Sequence, residues 1–225
     1  MFKKSKYYSL KNILKTNAVY NVIIGGRSNG KTYACHDYAI NEYWKHGRQC
    51  ALIRRYRDDF MGKRGTVMFD AQIASGNIEK ITDGLWSEVY FYRSAWYLAR
   101  HDENGELIHD ERPFCIAFSL ASMEHDKSTS FPGIGTVIFD EFITRTLYLK
   151  DEFVLFMNVL STIIRHRTDV KIFMIGNTVN KYCPYFKEMG LTHIKDMKPG
   201  NIDVYTYGES KLTVAVEYSE NNMSL

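Results

Sequence analysis

Eight consecutive residues, Gly25-Gly26-Arg27-Ser28-Asn29-Gly30-Lys31-Thr32, have the types and spacing to hold a polyphosphate. The pattern is G-x-x-x-x-G-K-[ST], with an apolar run before it and helical spacing after it. The glycines let the backbone curl so that successive N–H groups point inward at the N-terminus of the next helix. Lys31 can reach β- and γ-phosphate oxygens, and the Thr32 hydroxyl can ligate Mg²⁺. The plain alternative is a glycine turn that only starts a helix.

Such a loop by itself only binds. Hydrolysis needs an acid at a second strand end, and Thr136-Val137-Ile138-Phe139-Asp140-Glu141 supplies a pair. Asp140 would hold Mg²⁺ through water, and Glu141 would polarise the attacking water as general base. Alone, the same run could be a strand meeting a helix through two solvated acids; paired with the loop, it favours hydrolysis. Gly176-Asn177-Thr178 ends a further apolar run, so in a parallel sheet Asn177 would face the same crevice and bond the γ-phosphate or lytic water. Otherwise it caps a turn. Arg27 could steady transition-state charge in cis or be a solvated loop residue. ATP is expected over guanine nucleotide: Asn180-Lys181-Tyr182-Cys183 lacks the terminal Asp of a guanine-reading motif, and Phe142 stands where switch GTPases place glycine.

These groups need strands to aim them. Residues 19–24, 50–53, 114–120, 136–139 and 171–175 are short apolar runs of the kind buried in a parallel sheet. Helical spacing covers 33–44, with Gly47 as its stop, and also 66–74. Residues 151–165 place Phe153, Phe156, Met157, Leu160, Ile163 and Ile164 on one helical face. Between the strands at 50–53 and 114–120, residues 89–99 alternate aromatic and polar, and Glu103-Asn104-Gly105-Glu106 supplies a turn before Leu107-Ile108: an inserted antiparallel hairpin or meander. The first fifteen residues read as a basic, aromatic arm or short helix near the nucleotide. The tail beyond Val204 alternates like an edge strand pair. Candidate adenine contacts are residues 15–20 and the aromatics around Tyr185. The pattern predicts an α/β fold, a mainly parallel sheet flanked by helices.

The composition agrees. The chain has 225 residues, 45% hydrophobic and 24% charged, enough for one domain with a substantial core, and only four prolines. A net charge of +3 says little about partners. No apolar stretch reaches membrane-spanning length, and the basic N-terminus has no apolar core after it, against a secretory signal. Four scattered cysteines, without a C-x-x-C pair, suit free thiols in a reducing compartment. A cytosolic protein with no membrane contact is expected.

With these blocks in place, the sequence resembles the genome-packaging ATPases of small tailed phages with protein-primed replication, the phi-twenty-nine type. The resemblance rests on the phosphate loop, Arg54-Arg55-Tyr56, Lys127-Ser128 before Val137-Ile138-Phe139-Asp140-Glu141-Phe142-Ile143, Arg165-His166-Arg167, and Asn177 with Pro184-Tyr185-Phe186, in family order over about residues 15–190. It implies a P-loop NTPase of the additional-strand, catalytic-glutamate type, related to large terminases. It further implies a homo-oligomeric ring, a pentamer, on the phage portal (connector) with scaffold RNA, passing double-stranded DNA at the cost of ATP. The setting would be host cytoplasm, transiently at the procapsid. Arg165 resembles the trans-acting arginine of that family; alternatively, it is a cation at a helix C-terminus. Lys127 matches a lysine implicated in communication between subunits. The family often has a basic residue directly after the Asp-Glu-Phe-Ile block; here Thr144 intervenes, and Arg145 is a second inter-subunit candidate.

Relatives continue into a nuclease-like DNA-binding domain, whereas this sequence stops at Leu225. The expectation is a motor domain at 1–207, with 208–225 a strand or linker toward that domain. Arg54, Arg55, Arg57, Lys63 and Arg64 form the densest basic segment, interrupted by Asp58 and Asp59: a DNA path, or a solvated or inter-subunit face. Two other functions stay open, a P-loop kinase and a nucleotide-gated portal assembly module that does not hydrolyse ATP. Glu141 beside Asp140 argues against the kinase, because a base for water is a liability there.

Overall fold

The computed structural model describes residues 7–122, 130–165, 167–177, 183–207, 209 and 212–220. The strand before the phosphate loop is β1 (Tyr20–Ile24), an interior strand with all five residues buried. Parallel neighbours flank it, β8 (Lys171–Gly176) and β10 (Leu212–Tyr218). On the far side of β8 lies β7 (Ile134–Asp140), followed by β2 (Gln49–Arg54) and β6 (Cys115–Ser119), all parallel. So β8 separates the strand before the phosphate loop from the strand that ends in the acid pair.

The sheet closes with antiparallel strands at both margins. At one, β9 (Ile202–Tyr207) pairs with β10; at the other, β3 (Glu88–Tyr92), β4 (Ala95–His101) and β5 (Leu107–His109) form the expected meander beside β6. The order is β3-β4-β6-β2-β7-β8-β1-β10-β9, with β5 on β4.

Alternation along the strands sends side chains to two helical layers. Ile23, Leu52, Ile138, Phe173 and Ile175 pack with Cys35 and Ile40 of α2 (Lys31–His46). Val22, Ile53, Val137, Phe139 and Met174 pack against α6 (Glu152–Ile164) and α7 (Pro184–Glu188). Each fully buried side chain of this size contributes roughly 1.5–3 kcal/mol, so both layers are strongly held. The helix α2 stops at Gly47, whose φ of 65° is the left-handed turn expected there.

Two expectations change. On α6, Met157 is exposed and Val159 takes the core place, because the buried face centres on Phe156, Leu160 and Ile163. The helix over 66–74 is instead split into α3 (Lys63–Thr66) and α4 (Asp70–Ala74), followed by α5 (Asn77–Ile81). Between the first two, Phe69 turns inward onto Trp96 and Phe114, with ring centroids at 5.6 and 4.9 Å. Gly65 packs so tightly that a Cβ there would lie 2.3 Å from the Phe60 carbonyl oxygen and the Phe91 ring. The tail forms the expected strand pair at the sheet margin, with β9 outermost and β10 between it and β1. The division expected at 207/208 lies between the end of β9 and the start of β10. N-terminal to β1, α1 (Lys11–Leu14) packs beside β10.

Candidate nucleotide site

The phosphate loop starts where β1 runs out. Gly25 has φ of 151°, and a Cβ there would lie 2.1 Å from the Ser219 hydroxyl, so the position requires glycine. Ser219, just past β10, donates through its N–H to the Ile24 carbonyl at 2.8 Å and through its hydroxyl at 2.9 Å. That hydroxyl also accepts from Asn29 Nδ2 at 2.7 Å. From the other side, the Tyr8 N–H donates to the Asn29 carbonyl at 2.9 Å, and the Tyr8 hydroxyl donates to Glu217 on β10 at 2.6 Å. The loop is therefore braced by the N-terminal arm and by β10. Gly30, at φ of 93°, makes the last turn into α2.

Lys31 is buried, and its ammonium donates to the Gly26 carbonyl at 2.5 Å and to Asn29 Oδ1 at 3.1 Å. Both acceptors are neutral. Burial pushes its pKa down to about 8, against the pull of the Asp140 charge. A buried ammonium at a helix N-terminus, held by neutral oxygens, fits an incoming anion.

Asp140 ends β7 beside this loop, and Glu141 is the next residue. Thr32 Oγ1 donates to Asp140 Oδ1 at 3.4 Å, which joins the two halves of the expected site. Arg54 bridges the acids, with Nη2 2.7 Å from Asp140 Oδ2 and Nη1 3.2 Å from Glu141 Oε2. Asp140 is buried, whereas the Glu141 side chain is 58% exposed on a backbone with φ of 62°. Nearby His36 on α2 is buried and near Arg54, and its pKa falls to about 3, so it adds no positive charge at neutral pH.

Asn177, one residue past β8, lines a cavity of about 950 Å³ together with Ser28, Lys31 and Thr32. The arm forms its opposite wall through Tyr7–Lys11, with Tyr33 and Tyr38 from α2. The residues expected to contact adenine are not at this cavity. Residues 15–20 do not line the cavity, and Tyr185 is fully buried in the core.

The basic segment divides. Arg54 and Arg55 turn inward onto the acid pair and onto Glu152, so neither is available to DNA; Arg57, Lys63 and Arg64 remain exposed. The reason is register: β2 and β7 run parallel with Ile53 opposite Phe139, which sets Arg54 beside Asp140. Two parallel strands ending at one edge was a signal the sequence carried. The arm near the nucleotide was read from its basic, aromatic composition, whereas nothing local marked Ser219 or Glu217.

Arg27 is exposed in the loop and Arg145 is exposed in the segment after Glu141. Arg165, also exposed, caps the far end of α6. Neighbouring Arg167 bonds the Pro132 carbonyl and the Ile134 carbonyl where β7 begins, at the sheet edge opposite Asp140. Lys127 and Thr178 lie outside the described residues.

An α/β protein with a mainly parallel sheet, helices on both faces, and a phosphate-type loop beside a carboxylate pair is the class that this geometry defines. The chain belongs to the podovirus DNA encapsidation protein (Gp16) family, whose model matches residues 2–73 and 104–220. The unmatched stretch holds α5, β3 and β4. The DNA packaging proteins of Bacillus phages phi29 and PZA are each 28% identical over 193 residues, covering 81% of this chain and 50% of theirs. The chain thus spans about half the length of the curated relatives it matches.

Among solved structures, the N-terminal domain of the DNA packaging ATPase from bacteriophage phi29 superposes with a TM-score of 0.72 at 23% identity, covering 96% of this chain and 98% of that one. A Thermus phage large terminase ATPase domain gives 0.50 at 16% identity, over 97% and 80%. These likenesses concern the fold.

Proposed function

We propose that this chain is the ATP-hydrolysing motor domain of a DNA-packaging machine, a P-loop NTPase of the additional-strand, catalytic-glutamate type. The observation that carries the reading is the contact of Thr32 with Asp140, which sets the acid pair beside the phosphate loop, with Lys31, Thr32 and Asn177 lining one cavity. The place of β8 between β1 and β7 supports the additional-strand type.

Amides of residues 25–32 and the Lys31 ammonium bind the phosphates. Thr32 and Asp140 have the hard oxygen donors that suit Mg²⁺, and among the described residues no cluster of three His, Cys, Asp or Glu forms a metal site by itself. Bound there with ATP, Mg²⁺ would neutralise charge on the β- and γ-phosphate oxygens. Glu141 takes the proton of the attacking water, which requires its carboxylate to face water rather than remain wholly engaged by Arg54. Asn177 orients that water or the γ-phosphate, and Arg27 steadies the developing charge from the loop.

Family membership and the names of the relatives support DNA as cargo; the reading takes it as double-stranded and the docking site as a portal. The reading further includes a homo-oligomeric ring, a pentamer, in which scaffold RNA takes part and Arg165, Arg145 and Lys127 face neighbouring subunits. Arg57, Lys63 and Arg64 are the basic residues left for DNA. The motor unit runs through Tyr218, because β10 is laid against β1. The work is placed at the procapsid in host cytoplasm; among the described residues no helix is long and apolar enough to cross a membrane.

Phosphate release from ATP is the test. Release that needs Mg²⁺, rises with double-stranded DNA and requires no phosphoryl acceptor is expected. Transfer to a small acceptor would indicate a kinase, and tight ATP binding without turnover would indicate an assembly module.

A further inference from the structure

Arg55 lies in the interior directly after β2. Its side chain is 8% exposed, and that of Glu152, at the start of α6, is 1%. The guanidinium forks onto both carboxylate oxygens, Nε to Oε2 at 2.8 Å and Nη2 to Oε1 at 2.8 Å. Its other bonds go to main chain: Nη1 donates to the Glu141 carbonyl and Nη2 to the Phe142 carbonyl. Glu152 is filled from its other side by the Tyr185 hydroxyl at 2.8 Å and the Leu149 N–H at 2.8 Å. One ion pair thereby grips the segment that leaves β7 at its departure, through two carbonyls, and at its return, through Glu152.

Stability alone is a poor reason for this arrangement. Desolvation offsets most of what a buried ion pair gains, and a packed apolar pair could serve as well. Where the donors point is more informative. Glu141 has φ of 62°, a left-handed conformation that a residue other than glycine leaves unless its surroundings hold it. Rotation about φ would swing the Cβ and carry the carboxylate away from Asp140. Arg54 holds the side chains of the acid pair, and Arg55, its neighbour in sequence, holds the backbone beneath them.

We infer that Arg55, braced by Glu152 and Tyr185, is a positioning residue for hydrolysis: it fixes the Glu141 backbone so that the carboxylate stays beside Asp140. The inference rests on the ATPase reading and adds to it a residue that need not touch nucleotide. Arg55→Lys keeps the charge but cannot fork onto Glu152 and reach both carbonyls. Tyr185→Phe removes only one bond from Glu152.

The test measures kcat for ATP together with the dissociation constant and stoichiometry of a fluorescent ATP analogue, on the full chain. For Arg55→Lys, kcat is expected to fall about tenfold to a hundredfold while affinity and stoichiometry hold, as for a misaimed catalytic group. For Tyr185→Phe the fall is about fivefold, the value of one hydrogen bond, and this milder variant decides the matter if Arg55→Lys does not fold. Unchanged kcat in a folded variant, or turnover lost in step with bound nucleotide, would overturn the positioning role. An unsubstituted chain that binds ATP but releases no phosphate would instead overturn the ATPase reading, and this inference with it.

Discussion

Glu141→Gln is expected to lower ATP turnover by about 10²–10⁴-fold, the usual contribution of a positioned general base, with ATP binding retained. The substitution is nearly isosteric and removes the exposed member of the acid pair, since Asp140 is buried between Thr32 and Arg54. Binding should persist because the phosphate-holding groups, Lys31 and the amides of the loop, are untouched. Single-turnover phosphate release with a parallel nucleotide titration separates the two effects. Turnover within a few-fold of the unsubstituted chain would mean that the base lies elsewhere.

Arg165→Ala is expected to cut turnover about 10³–10⁵-fold, the range for an arginine acting on the transferring phosphoryl group, again with little change in ATP affinity. The fold makes this role possible only in trans. From Glu152, α6 runs back for 13 residues, about 20 Å, to the sheet edge opposite its own Asp140. A guanidinium there cannot reach the nucleotide of its own chain, but in a ring it could face the next subunit. Mixing gives the sharp readout. Assemblies of Arg165→Ala subunits with Glu141→Gln subunits should recover turnover that neither has alone, since an intact Glu141 can meet a neighbour's intact Arg165. No recovery at any ratio would reject the trans role.

Much of the site was legible because its pieces are local. A glycine-lysine loop after a buried strand and an acid pair closing another are written in consecutive residues, and parallel strands deliver both to one edge. The meander was equally local, an alternating pattern closed at Gly105. What escaped were contacts between distant segments. Arg54 and Arg55 look like solvated charge until the register of β2 against β7 turns them inward. Ser219, 190 residues from Asn29, braces the loop through a hydroxyl no motif marks. The arm was readable as a basic, aromatic stretch near the nucleotide but without the residues that wall the cavity, and β10 alternates like a marginal strand although partners on both sides bury it. The break at residues 66–74 is of the same kind: local helix propensity gave way to the aromatic packing of Phe69.

The most direct test of the central claim is the position of a manganese ion, located by anomalous scattering, in crystals of this chain grown with a non-hydrolysable ATP analogue. The expected result places the triphosphate against the amides of residues 25–32, with the ion between Thr32 Oγ1 and Asp140. Nucleotide bound away from that loop, or an ion remote from Asp140, would contradict the account.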